Sequence, residues 1–555
     1  MRHRLWLWIP LILATAIQPA SADFLVYHIG GRNGGGGGGG RSGPPGGMMP
    51  GGPGGGMPGG RPGGPGGAGG APFGPPSGGG GGGGGSGKKI VLQGKVNVLS
   101  KDTVTYDHPT LKERLYFSKD DVTIYKAKTL RDEFRNKLSS ASKDPDAMMQ
   151  SAVFALKKGM LKDFYETVES IHKINAQHEG ANRVLQLREK IKQPLPDDPA
   201  IEKQIRSVVK RANMRIAKSN HYILLHDTPE KPPKGQKKNR AEQRLELLEK
   251  VYESFMQFFS AQDIELNIPE ERLMVVLFNQ EKDFYDYATS VDPSLRSALG
   301  FWSRLNNVGI FYDRGSSEEF AELNEQLKAA KKRAEDAKKD ARGSRGPGGT
   351  GSGTTATADL VRLVQTLELL ATVEKENEDI TTVSHECVHQ LAGNTGLLPR
   401  HVDVPTWVHE GLATYFEAPG DATWAGIGAV NDLRLTWYKG LEDDRVHSNI
   451  KFIATNQIFD YARSHGAVVH GYGQAWALTH FLMETDIAKF VQFYRMLGEM
   501  PSSTPLNPDL LWELFTAAHG NDVSTMDQNW RSYMRGLQTD MQRQAPELME
   551  DEGRR

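Results

Sequence analysis

The sequence predicts an α+β protein built from several segments, and three observations carry that prediction. Short alternating apolar runs occupy residues 89–126, and continuous apolar runs of strand length occur between His221 and Tyr312. Most of the remainder beyond residue 129 places its apolar side chains at helical spacing. Between Gly30 and Gly87 neither pattern occurs; the stretch is mostly glycine and proline with scattered Met, Arg and Ser.

The first 22 residues read as an export signal. Arg2 and Arg4 precede an apolar run from Leu5 to Ile17, and Ala20-Ser21-Ala22 fits a small-x-small cleavage site. An uncleaved anchor is the other reading. The run is shorter than the ~20 apolar residues a span requires, and no later stretch approaches that length. The chain is therefore expected outside the cytoplasm, secreted, periplasmic or on the cell surface, with no integral span after signal removal. A single cysteine, Cys387, excludes a disulfide within the chain. With 67 basic and 68 acidic side chains the net charge is −1, so no overall field draws the protein to nucleic acid.

Residues 23–87 have too few apolar side chains to offset the entropy of ordering, and are expected as a disordered linker or a tether to the cell surface. Residues 88–128 are expected as a small β domain. Its strands are Ile90–Leu92, Val96–Val98, Val104–Tyr106, Leu115–Phe117 and Val122–Tyr125, closed as a small barrel or curled sheet. Residues 129–197 are expected as a helical hairpin similar to one tetratricopeptide-like unit, ended by Pro194 and Pro196. The main domain then runs over 198–540. It opens with a strand at His221–Leu225, an amphipathic helix at Arg240–Gln262 and strands at Leu273–Phe278 and Val308–Tyr312. A charged and glycine-rich insertion at about 316–357 is expected as an exposed helix and a mobile loop. Helices follow from Asp359, and 541–555 is a polar tail.

Two segments carry chemistry. His385-Glu386-Cys387-Val388-His389 has the form H-E-x-x-H. On a helix, positions four apart share a face, so both imidazoles can reach one metal ion. Glu386 then stands beside the metal, where a carboxylate can take a proton from a water and pass it on. Cys387 points about 200° from His385, into the domain behind. Downstream lies Trp407-Val408-His409-Glu410-Gly411-Leu412-Ala413-Thr414-Tyr415, with Glu410 21 residues beyond His389. His409 would point about 100° from Glu410 on a helix. His401 lies too far from His389 for the three-histidine spacing of metzincins.

This pair of segments resembles the gluzincins, thermolysin-like and aminopeptidase N-like zinc peptidases, whose W-x-x-E-G-x-A-x-Y helix follows H-E-x-x-H at a similar distance. The resemblance covers about Thr382 to Leu482, and the chain is most similar to a group of exported bacterial proteins in that clan. It implies a gluzincin-type domain, a small mixed sheet followed by a helical lobe, with Val308–Tyr312 as the edge strand. It implies one Zn2+ per chain on His385, His389 and Glu410, with Glu386 as general base. Tyr472-Gly473-Gln474-Ala475-Trp476-Ala477-Leu478 resembles the segment that presents a tyrosine hydroxyl to the oxyanion in aminopeptidase N-like enzymes. Two roles therefore fit Tyr472, that donor or a buried aromatic at the start of a helix. Glu417 is the candidate for orienting a histidine ligand.

The expected function is zinc-dependent hydrolysis of a peptide or protein substrate. The G-x-M-E-N segment that holds a substrate's amino terminus in aminopeptidase N-like enzymes is absent, which favours an endopeptidase. The alternative is a zinc-binding but catalytically inactive surface or scaffold protein.

Overall fold

The computed structural model describes residues 23–28, 89–107, 114–233, 236–343, 352–417, 426–502 and 504–547. The export signal and residues 29–88 of the glycine-rich stretch lie outside the described residues. The architecture is α+β, with two five-stranded sheets and a large helical lobe.

The first sheet joins β1 (Asp23–His28), β2 (Lys89–Val98), β3 (Thr103–Asp107), β4 (Arg114–Ser118) and β5 (Val122–Tyr125) in the order β4-β3-β2-β1-β5, all antiparallel. β1 comes from the stretch read from sequence as the start of the linker. Its alternation places it in a sheet buried on both faces: Leu25 and Tyr27 pack with Leu92 and Phe117, while Phe24 and Val26 pack with Ala545. Asp23, itself buried, binds Lys126 at 2.5 Å. β2 runs unbroken through two expected strands, because Gly94 lies against the Tyr106 ring, where a Cβ would come within 2.8 Å. His28 pairs with Lys89. The 60 residues between them, 35 of them glycine, thus leave and rejoin the sheet at one point.

Four helices follow where a hairpin was expected: α1 (Leu130–Ser140), α2 (Pro145–Lys157), α3 (Leu161–Ile174) and α4 (Glu179–Ile191). Positive φ at Ser142, Lys143 and Gly159 makes the additional breaks. Thr129 and Asp132 form a capping box on α1, and Asp144 caps α2 ahead of Pro145. The apolar faces of these helices merge with the main helical core.

The second sheet contains β6 (Arg215–Lys218), β7 (Tyr222–His226), β8 (Leu273–Phe278), β9 (Gly300–Ser303) and β10 (Val308–Tyr312), in the order β6-β7-β8-β10-β9. Strands β7, β8 and β10 are mutually parallel, and β6 and β9 are antiparallel edges. Leu224, Val275 and Phe311 face α6 (Arg240–Ala261), and Leu225, Val276 and Ile310 face the layer of α5 (Pro199–Val208) and α7 (Glu281–Val291). Val308–Tyr312 is therefore an inner strand and β9 takes the edge. β9, which the sequence reading did not assign, pairs antiparallel with β10 across a turn in which Asn307 adopts a positive φ.

The charged stretch is a helix, α8 (Glu318–Gly343), laid along α9 (Ser352–Asn394). Phe320, Leu327 and Ala334, at seven-residue spacing, form its buried stripe. Of the stretch 316–357 read as an exposed helix and a loop, the part from Ser352 already belongs to α9, and residues 344–351 lie outside the described residues. α9 is 43 residues long, about 64 Å at the helical rise. Leu363, Leu369 and Val373 pack on the first sheet, and the other end lies under the second.

The lobe is completed by α10 (Thr406–Tyr415), α11 (Asp432–Lys439), α12 (Ile450–Ala454), α13 (Gln457–Ser464), α14 (Val468–Thr485), α15 (Ile487–Gly498), α16 (Pro508–His519), α17 (Val523–Gly536) and α18 (Asp540–Gln544). Among the described residues no helix is long and apolar enough to cross a membrane.

Because both ends of the 60-residue stretch are paired, replacing residues 29–88 by a short Asn-Gly turn should leave the folded body intact. Circular dichroism and the melting temperature should match wild type; a clear drop in melting temperature would show that the stretch supports the body.

Two buried histidines set an acid limit on stability. His480 Nε2 lies 3.1 Å from the Gly428 carbonyl oxygen and Nδ1 lies 2.8 Å from the Tyr533 hydroxyl, which satisfies the neutral ring. His519 stacks near Phe515 with no partner for Nε2. Burial pushes both down to about 4. Between that value and the ordinary 6.5 the unfolded chain binds more protons, so stability falls as pH drops through this window, on the order of 3 kcal/mol per histidine. The pH dependence of unfolding should flatten in a His480→Gln, His519→Phe double variant. An unchanged slope in that variant would assign the effect to other groups.

Candidate metal centre

The last turns of α9 carry His385, Glu386 and His389, and α10 carries Glu410. Gly393 lets the Trp302 indole lie against α9, where a Cβ would come within 3.0 Å, and Gly300 lies similarly close to Thr382. Buried Gln390 donates to the Met274 carbonyl at 3.0 Å, and Asn394 pairs with Asn307 at 2.8 Å. These contacts seat the end of α9 on the sheet edge. Gly396, with φ +82°, turns the chain back toward α10.

α10 is placed by α14. At Gly411 a Cβ would fall inside van der Waals contact with Thr479 Oγ1, so only glycine admits this approach. Trp407 donates from its ring to the Ala454 carbonyl at 3.0 Å, and the Tyr494 hydroxyl donates to the Val408 carbonyl at 2.6 Å. Both fix the rotation of α10 that turns Glu410 inward.

The three residues expected to bind metal meet. Ligand atoms of His385, His389 and Glu410 lie within 4.8 Å of one another, and all three residues are buried. The two Nε2 atoms are 3.2 Å apart, His385 Nε2 is 3.2 Å from Glu410 Oε2, and His389 Nε2 is 3.8 Å from Oε1. Donors 2.0–2.2 Å from one tetrahedral ion stand roughly 3.3–3.5 Å from each other. Despite its distance, Oε2 has no hydrogen bond of good geometry. Two imidazoles and a carboxylate whose lone pairs converge in this way fit a metal ion.

The electrostatics have the same source. Burial works against the charged form of Glu410, yet His385 and His409 beside it hold it well below the usual carboxylate range. Burial drives His389 well down. Glu386, 7% exposed, accepts from the Trp302 amide at 2.9 Å. Burial pushes it up to about 8, with Glu410 adding to the rise and His385 and the Trp302 amide opposing it.

Tyr472 is buried on α14, edge-on to Phe459 at 5.4 Å. Burial first, and then the nearby Glu410 carboxylate, raise its hydroxyl well above the ordinary range. Glu417 does not orient a histidine. It binds Arg434 of α11 through both oxygens at 2.8–3.0 Å, and both side chains are buried. The acid is matched by the nearest cation, and the Arg434 guanidinium lies over the Trp437 and Tyr472 rings at 4.7 and 5.9 Å. Cys387 points into the domain, its Sγ 3.1 Å from the Tyr222 hydroxyl, and burial pushes the thiol up to about 12. His401 is exposed and outside the group. Sequence reasoning missed Trp302, whose amide role has no side-chain signature, and Arg434, whose partner lies across a loop.

A family profile described as a protein of unknown function (DUF1570) matches residues 379–507, a stretch that holds His385, Glu386, His389, Glu410 and Tyr472 but not Trp302. No curated protein and no solved structure matches the chain.

The α10–α14 approach yields a packing test. Gly411→Ala should destabilise the protein by about 1–3 kcal/mol, the usual cost of overpacking. Adding Thr479→Ala should return part of that loss in chemical denaturation; a Gly411→Ala protein as stable as wild type would remove the constraint.

Proposed function

We propose that this protein is an exported zinc-dependent peptidase of the gluzincin type that cleaves within peptide chains. The observation that carries the reading is the buried convergence of His385, His389 and Glu410 beside a second buried carboxylate, Glu386. Two imidazoles and one carboxylate are the ligand set of catalytic zinc sites, which keep a position open for water. Bound there, zinc would polarise the scissile carbonyl and bring a water's pKa near neutrality.

The chain's own groups do the rest. Glu386, held by the Trp302 amide, takes the proton of the attacking water and returns it to the departing amine nitrogen. The Tyr472 hydroxyl donates to the oxygen on which negative charge develops. β9, an edge strand of the second sheet, runs beside Glu386, and an extended peptide would add to that edge by main-chain pairing.

Purified protein should carry about one zinc per chain, and Glu410→Gln should weaken binding; unchanged affinity would remove Glu410 from the ligand set. Glu386→Gln should keep zinc and lose hydrolysis. Tyr472→Phe should lower turnover by roughly a hundredfold with little change in KM. Peptides with blocked amino termini should be cut as readily as free ones, and strict dependence on a free terminus would overturn the endopeptidase reading. A zinc-loaded wild type that cuts no peptide in a mixed library would favour the inactive scaffold instead.

A further inference from the structure

We infer that His409 orients the Glu410 carboxylate, holding Oε1 so that Oε2 is the oxygen presented to the metal. This rests on the metal-binding reading above. Consecutive residues on a helix diverge by about 100°, so adjacency alone does not bring their side chains together. Here His409 folds back, and its Nδ1 stands 3.3 Å from Glu410 Oε1. The other oxygen, Oε2, stands 3.2 Å from His385 Nε2. Oε1 also lies 3.8 Å from His389 Nε2, farther than from His409, so the nearest imidazole to Oε1 is that of His409 and the nearest to Oε2 is that of His385.

The exposure of the pair fits this division. The Glu410 side chain is 4% exposed and that of His409 is 25% exposed, so the imidazole lies on the solvent side of the carboxylate. The His409 ring stands 5.3 Å from that of His389 at 63°. With Nδ1 beside Oε1 and His409 outside the group of converging ligand atoms, His409 is a positioning residue and not a fourth ligand. Metal-binding histidines are commonly held by a carboxylate; here a histidine holds the ligating carboxylate. A donor on Oε1 keeps the group from rotating and satisfies an oxygen that water reaches poorly.

The experiment compares His409→Ala with His409→Asn, whose amide nitrogen can occupy the place of Nδ1. Zinc affinity is measured by chelator competition, and unfolding of each metal-free protein is measured alongside. His409→Ala should bind zinc about 10–100-fold more weakly, the range for lost outer-shell partners. His409→Asn should return to within a few-fold of wild type, with all metal-free unfolding midpoints alike. Affinity unchanged in His409→Ala, or lost equally in both variants, overturns the inference. So does a loss that tracks a lower metal-free midpoint, because that is a packing effect. Wild type that binds no zinc removes the metal-binding reading and this inference with it, whereas a zinc-binding wild type with an indifferent His409 removes only the latter.

Discussion

Three carboxylates, those of Glu386, Glu410 and Glu417, are buried in one region of the helical lobe, and each must be compensated where it stands. An uncompensated buried charge costs several kcal/mol, so their partners constrain the surrounding fold. Glu410 has the imidazoles of His385 and His409, and Glu417 the guanidinium of Arg434. Glu386 accepts from the main-chain amide of Trp302 and, only partly compensated, is pushed up to about 8 by burial. These partners come from α9, α10, β9 and α11, so four elements have to arrive in register. The Glu417–Arg434 pair also lies beside Tyr472, which links the placement of α11 to that of the tyrosine.

The helix packing follows from this requirement. α14 is approached by α10 at Gly411 and by α11 at Gly473, where a Cβ would come within 2.7 Å of Trp437. Side chains at either point would separate the helices by more than the carboxylate partners can bridge. α9 adds a longer connection. Its far half is clasped by α8 and the first sheet, its middle is joined to α6 by the Arg244–Asp379 ion pair at 2.5 Å, and its end carries two of the converging histidines. One continuous helix thus joins the first sheet to the candidate metal site.

The strands of the second sheet were legible as unbroken apolar runs of strand length, and α6 by the helical spacing of its apolar side chains. His221–Leu225, Arg240–Gln262 and Leu273–Phe278 agree with β7, α6 and β8 to within a residue or so at each end. β9 was not legible, since Phe301-Trp302 is too short a run to separate from a loop. Nor was the stripe of Phe320, Leu327 and Ala334, which charged neighbours obscure. In the first sheet, β1 was hidden by the glycine-rich residues that follow it. Its strand character depends on β2 and β5, which lie far along the chain.

What the sequence determined by itself was local. The i, i+4 spacing put His385 and His389 on one helical face, and Glu410 entered as the third member only through the resemblance of its W-x-x-E-G segment. Cys387 was directed away for the same geometric reason. The tertiary structure alone decided which partners compensate these groups. Helical spacing placed His409 away from Glu410, yet its imidazole folds back to Oε1, and Glu417, seven residues along the chain, is matched by Arg434. Trp302 reaches Glu386 through a backbone amide, which every residue except proline possesses. Periodicity acts over a few residues, whereas compensation of a buried charge is settled by whichever donor the packing brings within about 3 Å.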